Sequence, residues 1–298
     1  PLVRDGQDVV GQAQTGTGKT AAFGIPLVEA LNPDLHEIQA LVLVPTRELA
    51  VQVRGEIVRM SRFNNIRSVA IYGGQSMNSQ LEALHQGAHL VVATPGRLMD
   101  HMQRGTVQLG RVRFVVLDEA DQMLDIGFAD DMRFILRHTP SSRQTLLFCA
   151  TMPGRLRSLA HQYMKDPARI LVGRDAEPVE EVEQIYFEVA ERDRPAALEE
   201  LLRESGEIIQ ALVFRRTKIG VNRLVTYLQG RGLDIQAIHG DMTQPHRDAV
   251  MRQFRSKHLR VLVATNVAAR GLDIPAVSHV INYDLPDNVE DYVHRIGR

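Results

Sequence analysis

Short runs of apolar residues alternate along the chain with stretches in which apolar positions recur at helical spacing. In the first half of the chain these runs are residues 40–44, 69–72, 90–93, 114–117 and 145–148. The pattern starts again in the second half with residues 211–214, 235–238, 261–264 and 277–282. An alternation of short buried strands with helices is typical of βαβ units, so the sequence predicts an α/β fold built on parallel sheets flanked by helices.

A charged stretch without a clear apolar period, residues 173–183, separates the two series of predicted strands. The chain has 298 residues, more than an ordinary single domain, and its 44% hydrophobic and 24% charged content is typical of a globular protein. We therefore predict a first domain over residues 1–172, a short linker over 173–183 and a second domain over 184–298.

Composition restricts the partners that the chain can have. The formal net charge is −1, so the protein lacks the basic excess that gives many nucleic-acid binders a broad positive surface. The single cysteine, Cys149, excludes an internal disulfide and favours a reducing, cytoplasmic compartment. No apolar stretch approaches the ~18 residues needed to span a bilayer, so we expect no membrane partner.

A candidate phosphate-binding loop follows the apolar residues Val9 and Val10. Residues 13–20 read AQTGTGKT, which matches the phosphate-binding pattern G-x-x-x-x-G-K-[ST] except that Ala13 stands at the first glycine. Backbone N–H groups of such a loop surround phosphates, the lysine adds a positive charge, and the last hydroxyl binds Mg²⁺. Taken alone, the segment can also be interpreted as a flexible turn. The residues predicted to bind the nucleotide are Ala13, Thr15, Gly16, Thr17, Gly18, Lys19 and Thr20, with Lys19 also catalytic and Thr20 also a metal ligand.

A second candidate lies at the end of the apolar run 114–117, where the chain continues with Asp118, Glu119, Ala120 and Asp121. Ligands of α/β sheets bind at the carboxyl ends of the strands, so these acids are placed for catalysis. We predict that Asp118 binds Mg²⁺ and that Glu119 is the base that polarises the attacking water. Acidic residues are also favoured at helix N-termini without any catalytic role, and this alternative stays open for Asp121.

With these two segments, further motifs make the chain resemble the DEAD-box ATP-dependent RNA helicases over nearly its whole length. In the family's order they are PTRELA at 45–50, the glycine pair at 73–74, TPGR at 94–97, CAT at 149–151, VFRRTK at 213–218, HGDMTQPHR at 239–247, VATNVAARGLDI at 263–274 and YVHRIGR at 292–298. The resemblance implies two RecA-like domains, ATP and Mg²⁺ as ligands, and RNA-stimulated ATP hydrolysis coupled to local unwinding of short RNA duplexes and RNP remodelling. The compact spacing resembles that of bacterial members.

The resemblance also implies roles for residues outside the two nucleotide motifs. It implies that Gly271 and Asp273 bind the nucleotide, with Asp273 in contact with the ribose. An aspartate after Arg-Gly-Leu is also a common turn residue. It identifies Arg295 and Arg298 with the arginine fingers that act on the γ phosphate from the second domain, so hydrolysis requires domain closure. On their own, these arginines can also be a surface pair at i and i+3 of a helix. The residues assigned to coupling between the domains are Asp121, Cys149, Thr151 and His294.

RNA is the implied partner, as a single strand or short duplex bound without sequence specificity. Small residues in loops expose backbone N–H groups and hydroxyls to phosphate oxygens, which carry no base identity. Some of these residues can instead serve turn geometry alone. The residues assigned to RNA are Pro45, Thr46, Arg47, Gly74, Thr94, Pro95, Gly96, Arg97, Thr217, Gln244, Arg247 and Thr265. We expect a monomer, with RNPs or assembling ribosomes as candidate partners.

Three departures from the family pattern bear on these expectations. Cys149 replaces the usual serine of Ser-Ala-Thr, and because a thiol is a weaker hydrogen-bond partner than a hydroxyl, we expect weaker coupling of hydrolysis to strand opening. Asn266 replaces a frequent aspartate, for which we expect modest consequences. We also expect the chain to be a fragment without the upstream glutamine motif and the end of the last motif, so selectivity for ATP rests on the resemblance.

Two rival functions are compatible with the motifs. A DNA-translocating helicase of the same superfamily shares the phosphate loop and the paired acids, but PTRELA, DEAD and HRIGR in one chain favour RNA. A non-enzymatic, ATP-gated RNA clamp would bind RNA tightly without turnover. A metabolic P-loop enzyme is the least favoured class, because it gives no reason for the second half of the chain.

Overall fold

The computed structural model describes residues 1–13, 17–172, 182–266, 277–286 and 289–296. The chain divides into two compact units, Pro1–Asp175 and Ala176–Arg298. Most of the predicted linker, residues 173–181, lies outside the described residues, so its extent stays a prediction. Nowhere in the described ranges does a helix have the length and apolar character needed to cross a membrane.

Within its described residues, the first unit is built on a sheet of seven strands. They are β1 Val9–Ala13, β2 Ala40–Leu43, β3 Ser68–Ile71, β4 Leu90–Ala93, β5 Phe114–Leu117, β6 Gln144–Cys149 and β7 Ala168–Val172. All pair in parallel, in the order β3-β4-β2-β5-β6-β1-β7. Parallel strands place their carboxyl ends on one edge, so the segments that follow them in sequence meet at that edge.

Helices cover both faces of this sheet. They are α1 Lys19–Ala30, α2 Arg47–Met60, α3 Met77–His85, α4 Pro95–Gln103, α5 Ala120–Ile126, α6 Ala129–Arg137 and α7 Gly154–Tyr163. Successive residues of a strand point to opposite faces, so Leu41 and Leu43 of β2 pack in one core cluster and Val42 in another. Two-sided burial explains why the central strands are apolar runs instead of alternating patterns.

The described part of the second unit repeats this plan on a smaller scale. Its strands are β8 Ala211–Arg215, β9 Ile235–Ile238, β10 Val261–Thr265 and β11 His279–Asn282, and its helices are α8 Arg194–Glu204, α9 Lys218–Gln229, α10 Gln244–Arg255 and α11 Val289–Ile296. The strands form a parallel sheet in the order β11-β8-β10-β9. Each sheet therefore carries its own carboxyl edge.

Local capping fixes where two helices at these edges begin. Thr46 precedes α2, and its hydroxyl accepts a hydrogen bond from the Leu49 N–H at 3.3 Å. Thr217 precedes α9 and accepts in the same way from the Gly220 N–H at 3.0 Å. A threonine oxygen that satisfies an N–H of the first helical turn stabilises the helix start by about 1 kcal/mol, so both turns are set by local sequence.

Candidate functional site

The phosphate-binding segment connects β1 to α1 at the carboxyl edge of the first sheet. Gly18 precedes α1 with φ of 83°, a left-handed conformation that glycine adopts without strain. The ammonium of Lys19, the first helical residue, donates to the Ala13 carbonyl at 3.1 Å. A lysine at a helix N-terminus, where backbone N–H groups lack helix partners, forms a site for a phosphate chain. The predicted ligands Thr15 and Gly16 lie outside the described residues.

Asp118 follows β5, the central strand of the first sheet. Its N–H donates to the Leu43 carbonyl at 2.9 Å, and its Oδ1 accepts from the Glu119 N–H at 3.0 Å. The residue is 3% exposed, and this burial raises the pKa of its carboxyl, while the positive charge of Lys19 acts to lower that pKa. A buried carboxylate of this kind is stabilised by a cation, and its oxygen is a type of ligand that Mg²⁺ prefers.

Glu119 has a left-handed backbone, with φ of 49° and ψ of 49°. For a residue with a side chain this conformation costs about 1–2 kcal/mol, and it persists only where the surrounding structure imposes it. Glu119 lies between Asp118 and the first residue of α5, and its left-handed backbone turns the chain into that helix. Strained backbone is frequent at functional sites, so this conformation supports the prediction that Glu119 acts in catalysis.

Asp121 connects α5 to the segment that follows β6. Its Oδ2 accepts hydrogen bonds from the N–H groups of Ala150 at 3.0 Å and Thr151 at 2.8 Å, and from the Thr151 hydroxyl at 3.2 Å. Its Oδ1 accepts from the Gln122 N–H at 3.1 Å. The two oxygens are thus satisfied at a residue that is 5% exposed. This connection explains Asp121 better than a simple preference for acids at helix N-termini.

Cys149 ends β6 and pairs through its backbone with Gln12 of β1. The side chain is fully buried at 0% exposure, and Sγ lies 3.8 Å from the Met152 sulfur. Burial raises the pKa of the thiol to about 12, so the group stays protonated. The link from Asp121 goes to Ala150 and Thr151. The thiol contacts Met152 and feels the charge of Asp121, and its expected effect on coupling stays a prediction.

Three segments predicted to bind RNA follow β2, β3 and β4, which are neighbours in the first sheet. They share one half of the carboxyl edge, while the phosphate segment after β1 and the acids after β5 lie in the other half. Among the predicted residues, those that are exposed or half-buried are Thr46, Arg47, Gly74, Gly96 and Arg97. Pro45, Thr94 and Pro95 are buried. Pro95 opens α4, which agrees with the alternative of a role in helix geometry, and the RNA roles of the two prolines stay predictions.

The predicted RNA residues of the second unit also follow strand ends. Thr217 comes after β8 and caps α9, and Thr265 ends the neighbouring strand β10 and is 7% exposed. Gln244 is the first residue of α10, and its amide donates to the Asp248 carboxylate at 2.9 Å. Arg247 lies one turn further along the same helix. Two helix N-termini, those of α9 and α10, thus carry predicted phosphate contacts.

Arg295, a predicted arginine finger, makes contacts within the second unit. It is 4% exposed, and its Nη1 donates to the Asn282 side-chain oxygen and to the Asp284 carbonyl, both at 2.7 Å. Its guanidinium also lies over the Phe214 ring, 4.8 Å from the centroid. These contacts fix α11 against β8 and β11, and the predicted action of Arg295 on a γ phosphate stays a prediction. The predicted Gly271, Asp273 and Arg298 lie outside the described residues, as does the side chain of His294.

Asn266 has a definite partner in the second unit. Its amide nitrogen lies 3.4 Å from a carboxylate oxygen of Asp291 in α11. An aspartate at position 266 would bring two carboxylates together, which disfavours their ionised forms. The asparagine therefore suits its surroundings in this chain, and the modest consequences expected for it stay a prediction.

Two buried polar residues near the RNA half of the edge belong to no motif. Gln80 of α3 is 2% exposed, His101 of α4 is 0% exposed, and the two side chains are hydrogen-bonded at 3.1 Å. The sequence contains one weak signal, since Gln80 lies at helical spacing from Met77 and Leu84 and so interrupts an apolar stripe. Nothing in that signal indicates which group the amide contacts.

A phosphate loop and an acidic pair on one sheet edge, in a chain with a second parallel α/β unit, are features of two-domain P-loop nucleoside triphosphatases. Family profiles agree with this class and narrow it. The profile of the DEAD/DEAH box helicases matches residues 1–159, and that of the helicase conserved C-terminal domain matches residues 193–298. The chain belongs to the DEAD-box helicase family. Its two sheets flanked by helices confirm the predicted fold of two RecA-like domains.

Curated relatives support the family assignment. The chain is 49% identical to the DEAD-box ATP-dependent RNA helicase CshA of Bacillus subtilis, with 100% of this chain and 60% of the relative covered. For CshA of Geobacillus kaustophilus the identity is 48%, with 100% and 64% covered. The chain thus spans less than two thirds of the length of these relatives. The predicted bacterial type agrees with them.

Solved structures resemble the chain as well. Saccharomyces cerevisiae Dbp5 bound to RNA and ADP BeF3 has a TM-score of 0.88 and 35% identity, covering 98% of this chain and 75% of that chain. A DEAD box protein from the hyperthermophile Methanococcus jannaschii has a TM-score of 0.57 and 43% identity, covering 100% of this chain and 80% of that chain.

Proposed function

We propose that this chain is the ATP-hydrolysing and RNA-binding core of an RNA helicase, in which RNA-stimulated hydrolysis drives local opening of short RNA duplexes and RNP remodelling. One observation carries the proposal. The nucleotide segments follow β1 and β5, and the loops assigned to RNA follow β2, β3 and β4, all on one edge of one sheet. Hydrolysis and RNA binding then have a common scaffold. The likeness to Dbp5 bound to RNA and ADP BeF3 supports this assignment.

Nucleotide hydrolysis is assigned to residues of the first unit. Lys19, at the start of α1, binds the β and γ phosphates of ATP, and the backbone around Gly18 surrounds them. Glu119 orients the attacking water and accepts its proton. Thr20 and Asp118 hold Mg²⁺, since both offer oxygen ligands and the buried Asp118 carboxylate suits a site that a cation completes. Bound Mg²⁺ supplies neutralisation of the charge that develops on the phosphate oxygens.

Further roles in the nucleotide site rest on the family pattern. Gly271 and Asp273 are proposed to contact the ribose, and Arg298 is proposed to stabilise the charge on the γ phosphate. Selectivity for adenine is part of the same proposal. Arg295 stays a predicted member of this set, and its guanidinium contacts Asn282 and Asp284 in the second unit.

RNA binding is proposed to occur through the phosphate backbone. Arg47 and Arg97 supply positive charge in the first unit, and Gly74 exposes backbone for close approach. In the second unit the N-termini of α9 and α10, at Thr217 and Gln244, favour phosphate oxygens. None of these groups is placed to distinguish bases by type, so we propose binding without sequence specificity.

Binding of ATP and RNA is proposed to be mutually favourable. If hydrolysis requires both ligands on one closed state, each must raise the affinity for the other by the same factor. RNA affinity should therefore increase in the presence of a nonhydrolysable ATP analogue. Equal RNA affinity with and without the analogue would refute this coupling.

The test of the proposed function is the ATPase rate with and without single-stranded RNA, with single-stranded DNA measured in parallel. We expect stimulation by RNA and little by DNA. Glu119→Gln should lower the stimulated rate by about 100-fold or more, because it removes the general base while keeping the shape of the side chain. Glu82→Gln, the same change at an exposed position of α3, is the matched control and should match the wild-type rate.

Each rival function predicts a different outcome of this experiment. Equal stimulation by DNA would favour a DNA-translocating helicase. Tight, ATP-dependent RNA binding without turnover would identify an RNA clamp. A monomeric state, a cytoplasmic location and association with RNPs or assembling ribosomes are part of the proposal, and the buried single thiol of Cys149 suits a reducing compartment.

A further inference from the structure

A buried polar network lies next to the loops that follow β3 and β4. The Gln80 amide nitrogen donates to the Tyr72 carbonyl at 2.8 Å, and its Oε1 lies 3.1 Å from His101 Nε2. On the other side of the imidazole, Nδ1 lies 2.8 Å from the Thr106 hydroxyl. Gln80 and His101 are almost entirely inaccessible to solvent, so each of these hydrogen bonds replaces one that water would otherwise make.

The direction of each hydrogen bond in the network can be assigned. The Tyr72 carbonyl can only accept, so the nitrogen of Gln80 must face it and the oxygen of Gln80 must face His101. His101 therefore donates from Nε2. The Thr106 hydroxyl lies 2.8 Å from Nδ1 and 3.0 Å from the His101 carbonyl, and its one hydrogen can serve only one of these acceptors. The carbonyl already accepts from the Thr106 N–H, so a hydroxyl that donates to Nδ1 leaves the ring neutral and both acceptors satisfied. Burial, and after it the positive charge of Arg97, lowers the pKa of His101, which agrees with a neutral ring.

The same amide reaches Arg97, which is assigned to RNA, and Gln75, the neighbour of the assigned Gly74. Gln80 Nε2 lies 3.2 Å from the side-chain oxygen of Gln75, the residue after Gly74. Arg97 Nη1 donates to the Gln75 carbonyl at 3.1 Å and lies 3.5 Å from Gln80 Oε1. Arg97 also pairs with Asp100 at 3.7 Å. The loop that carries Gly74 is thus held at Tyr72 and at Gln75, and Arg97 is held against the same loop.

We propose that Gln80 is a positioning residue for RNA binding: it presets the loop of Gly74 and the guanidinium of Arg97 for RNA phosphates, and His101 holds the Gln80 amide in the required orientation. This inference rests on the proposed function. Donors that are already in place lose less conformational entropy when RNA binds, so loss of the network weakens RNA binding. The described nucleotide residues lie in the other half of the sheet edge and make none of these contacts, so binding of nucleotide in the absence of RNA should be unaffected.

The test uses the full chain and three variants. Gln80→Met keeps the length of the side chain and removes the amide contacts with Tyr72, Gln75, Arg97 and His101. Thr106→Val keeps the shape of its side chain and removes the donor that orients His101. Gln86→Met, the same change at an exposed residue after α3, is the matched control. Each variant is assayed for KM of single-stranded RNA and kcat in the ATPase reaction, for Kd of a fluorescent ADP, and for thermal unfolding.

We expect KM for RNA to rise about tenfold in Gln80→Met and about threefold in Thr106→Val, in line with the loss of buried hydrogen bonds. In both variants kcat at saturating RNA and Kd for ADP should stay within about twofold of wild type. Gln86→Met should match wild type. If Gln80→Met does not fold, the KM of Thr106→Val decides.

Two results would overturn the positioning role. One is a KM for RNA that is unchanged in folded Gln80→Met or, failing that variant, in Thr106→Val. The other is a parallel loss of ADP affinity, which would indicate a general structural role for the network. Wild-type protein that shows no RNA-stimulated ATPase and binds no RNA would instead refute the proposed function itself, and the positioning role with it.

Discussion

Single residues at the sheet edge differ in how strongly their surroundings constrain them, and the glycine pair at 73–74 is the clearest case. Gly74 has φ of 84°, and a Cβ at this position would collide with the Arg47 guanidinium. Gly73 has no positive φ and has open space around its Cα. The two glycines look equivalent in sequence, but only Gly74 is required by both its backbone conformation and its neighbour.

Gly74→Ala should therefore impair RNA binding. The added methyl group strains a left-handed backbone by about 1 kcal/mol and displaces Arg47, a proposed phosphate contact. We expect KM for single-stranded RNA to rise about fivefold to tenfold, with Kd for ADP unchanged. Gly73→Ala is the control and should stay close to wild type. Equal effects of the two substitutions on RNA binding would contradict the assignment.

Among the elements, α5 and the segment after β6 are joined by one carboxylate. Asp121 receives hydrogen bonds from Ala150 and Thr151, which fix the acidic motif to the segment that follows β6. Of the side chains at 149–151, only the Thr151 hydroxyl donates to Asp121. Cys149 and Thr151 were both assigned to coupling, and of the two side chains the Thr151 hydroxyl is the one that contacts Asp121.

Thr151→Val should lower the free energy of unfolding by about 1–2 kcal/mol, because a buried carboxylate loses a donor. It should also reduce the number of duplexes opened per ATP hydrolysed, since the link between the two segments is weakened. Cys149→Ser is the comparison, and we expect it to leave this ratio within about twofold of wild type. Duplex unwinding and ATPase rates measured on the same samples give the ratio. A larger loss in Cys149→Ser than in Thr151→Val would show that the thiol is the coupling group.

The elements also show what the sequence could and could not indicate. All the predicted strands are present, with shifts of no more than about two residues, since their apolar runs reflect burial on both faces. Two strands were not predicted. The apolar run of β1 is interrupted by Gly11 and Gln12, although the strand itself is continuous. β7 is an edge strand whose last residues are exposed. Neither strand therefore has a buried apolar run of usual length. The order of the strands depends on tertiary packing and has no local signal.

The candidate site divides in a similar way. Phosphate-loop and acidic residues were predictable because their chemistry needs fixed types at fixed spacing. The burial of Pro45 and Pro95, the internal contacts of Arg295 and the network of Gln80 and His101 were not predictable. These features depend on which side chains the fold brings together from distant positions in sequence.

At the scale of the whole molecule, each unit has its own hydrophobic core and contains one or two buried histidines. His89 and His101 lie in the first unit and His239 in the second, and burial is the main reason that the pKa of each is lowered. A base whose pKa is lower in the folded state binds fewer protons than in the unfolded state. Both units should then depend on pH in the same direction.

Stability from these histidines is complete above the unfolded pKa of about 6.5 and is lost as the pH falls through the lower folded-state values. We therefore expect the free energy of unfolding to decrease from pH 7.5 to 5.5, by at most about 1.4 kcal/mol per pH unit for each histidine. Asp118 and Asp131 act in the opposite direction, because burial raises the pKa of each.

A variant separates these opposing effects. His101→Gln keeps a donor for Gln80 and cannot titrate, so its stability should decrease less between the two pH values than that of wild type. Urea unfolding at each pH measures the difference. If wild type and His101→Gln lose the same free energy of unfolding over this range, His101 does not contribute to the pH dependence.

At Glu119, a substitution that relieves backbone strain and raises thermostability would also lower the proposed activity. Glycine adopts φ of 49° without strain, so a library selected for heat resistance alone would accept glycine here. The same replacement removes the carboxylate proposed to accept the proton from water. Engineering of this protein for stability should therefore keep Glu119 fixed and look for gains elsewhere.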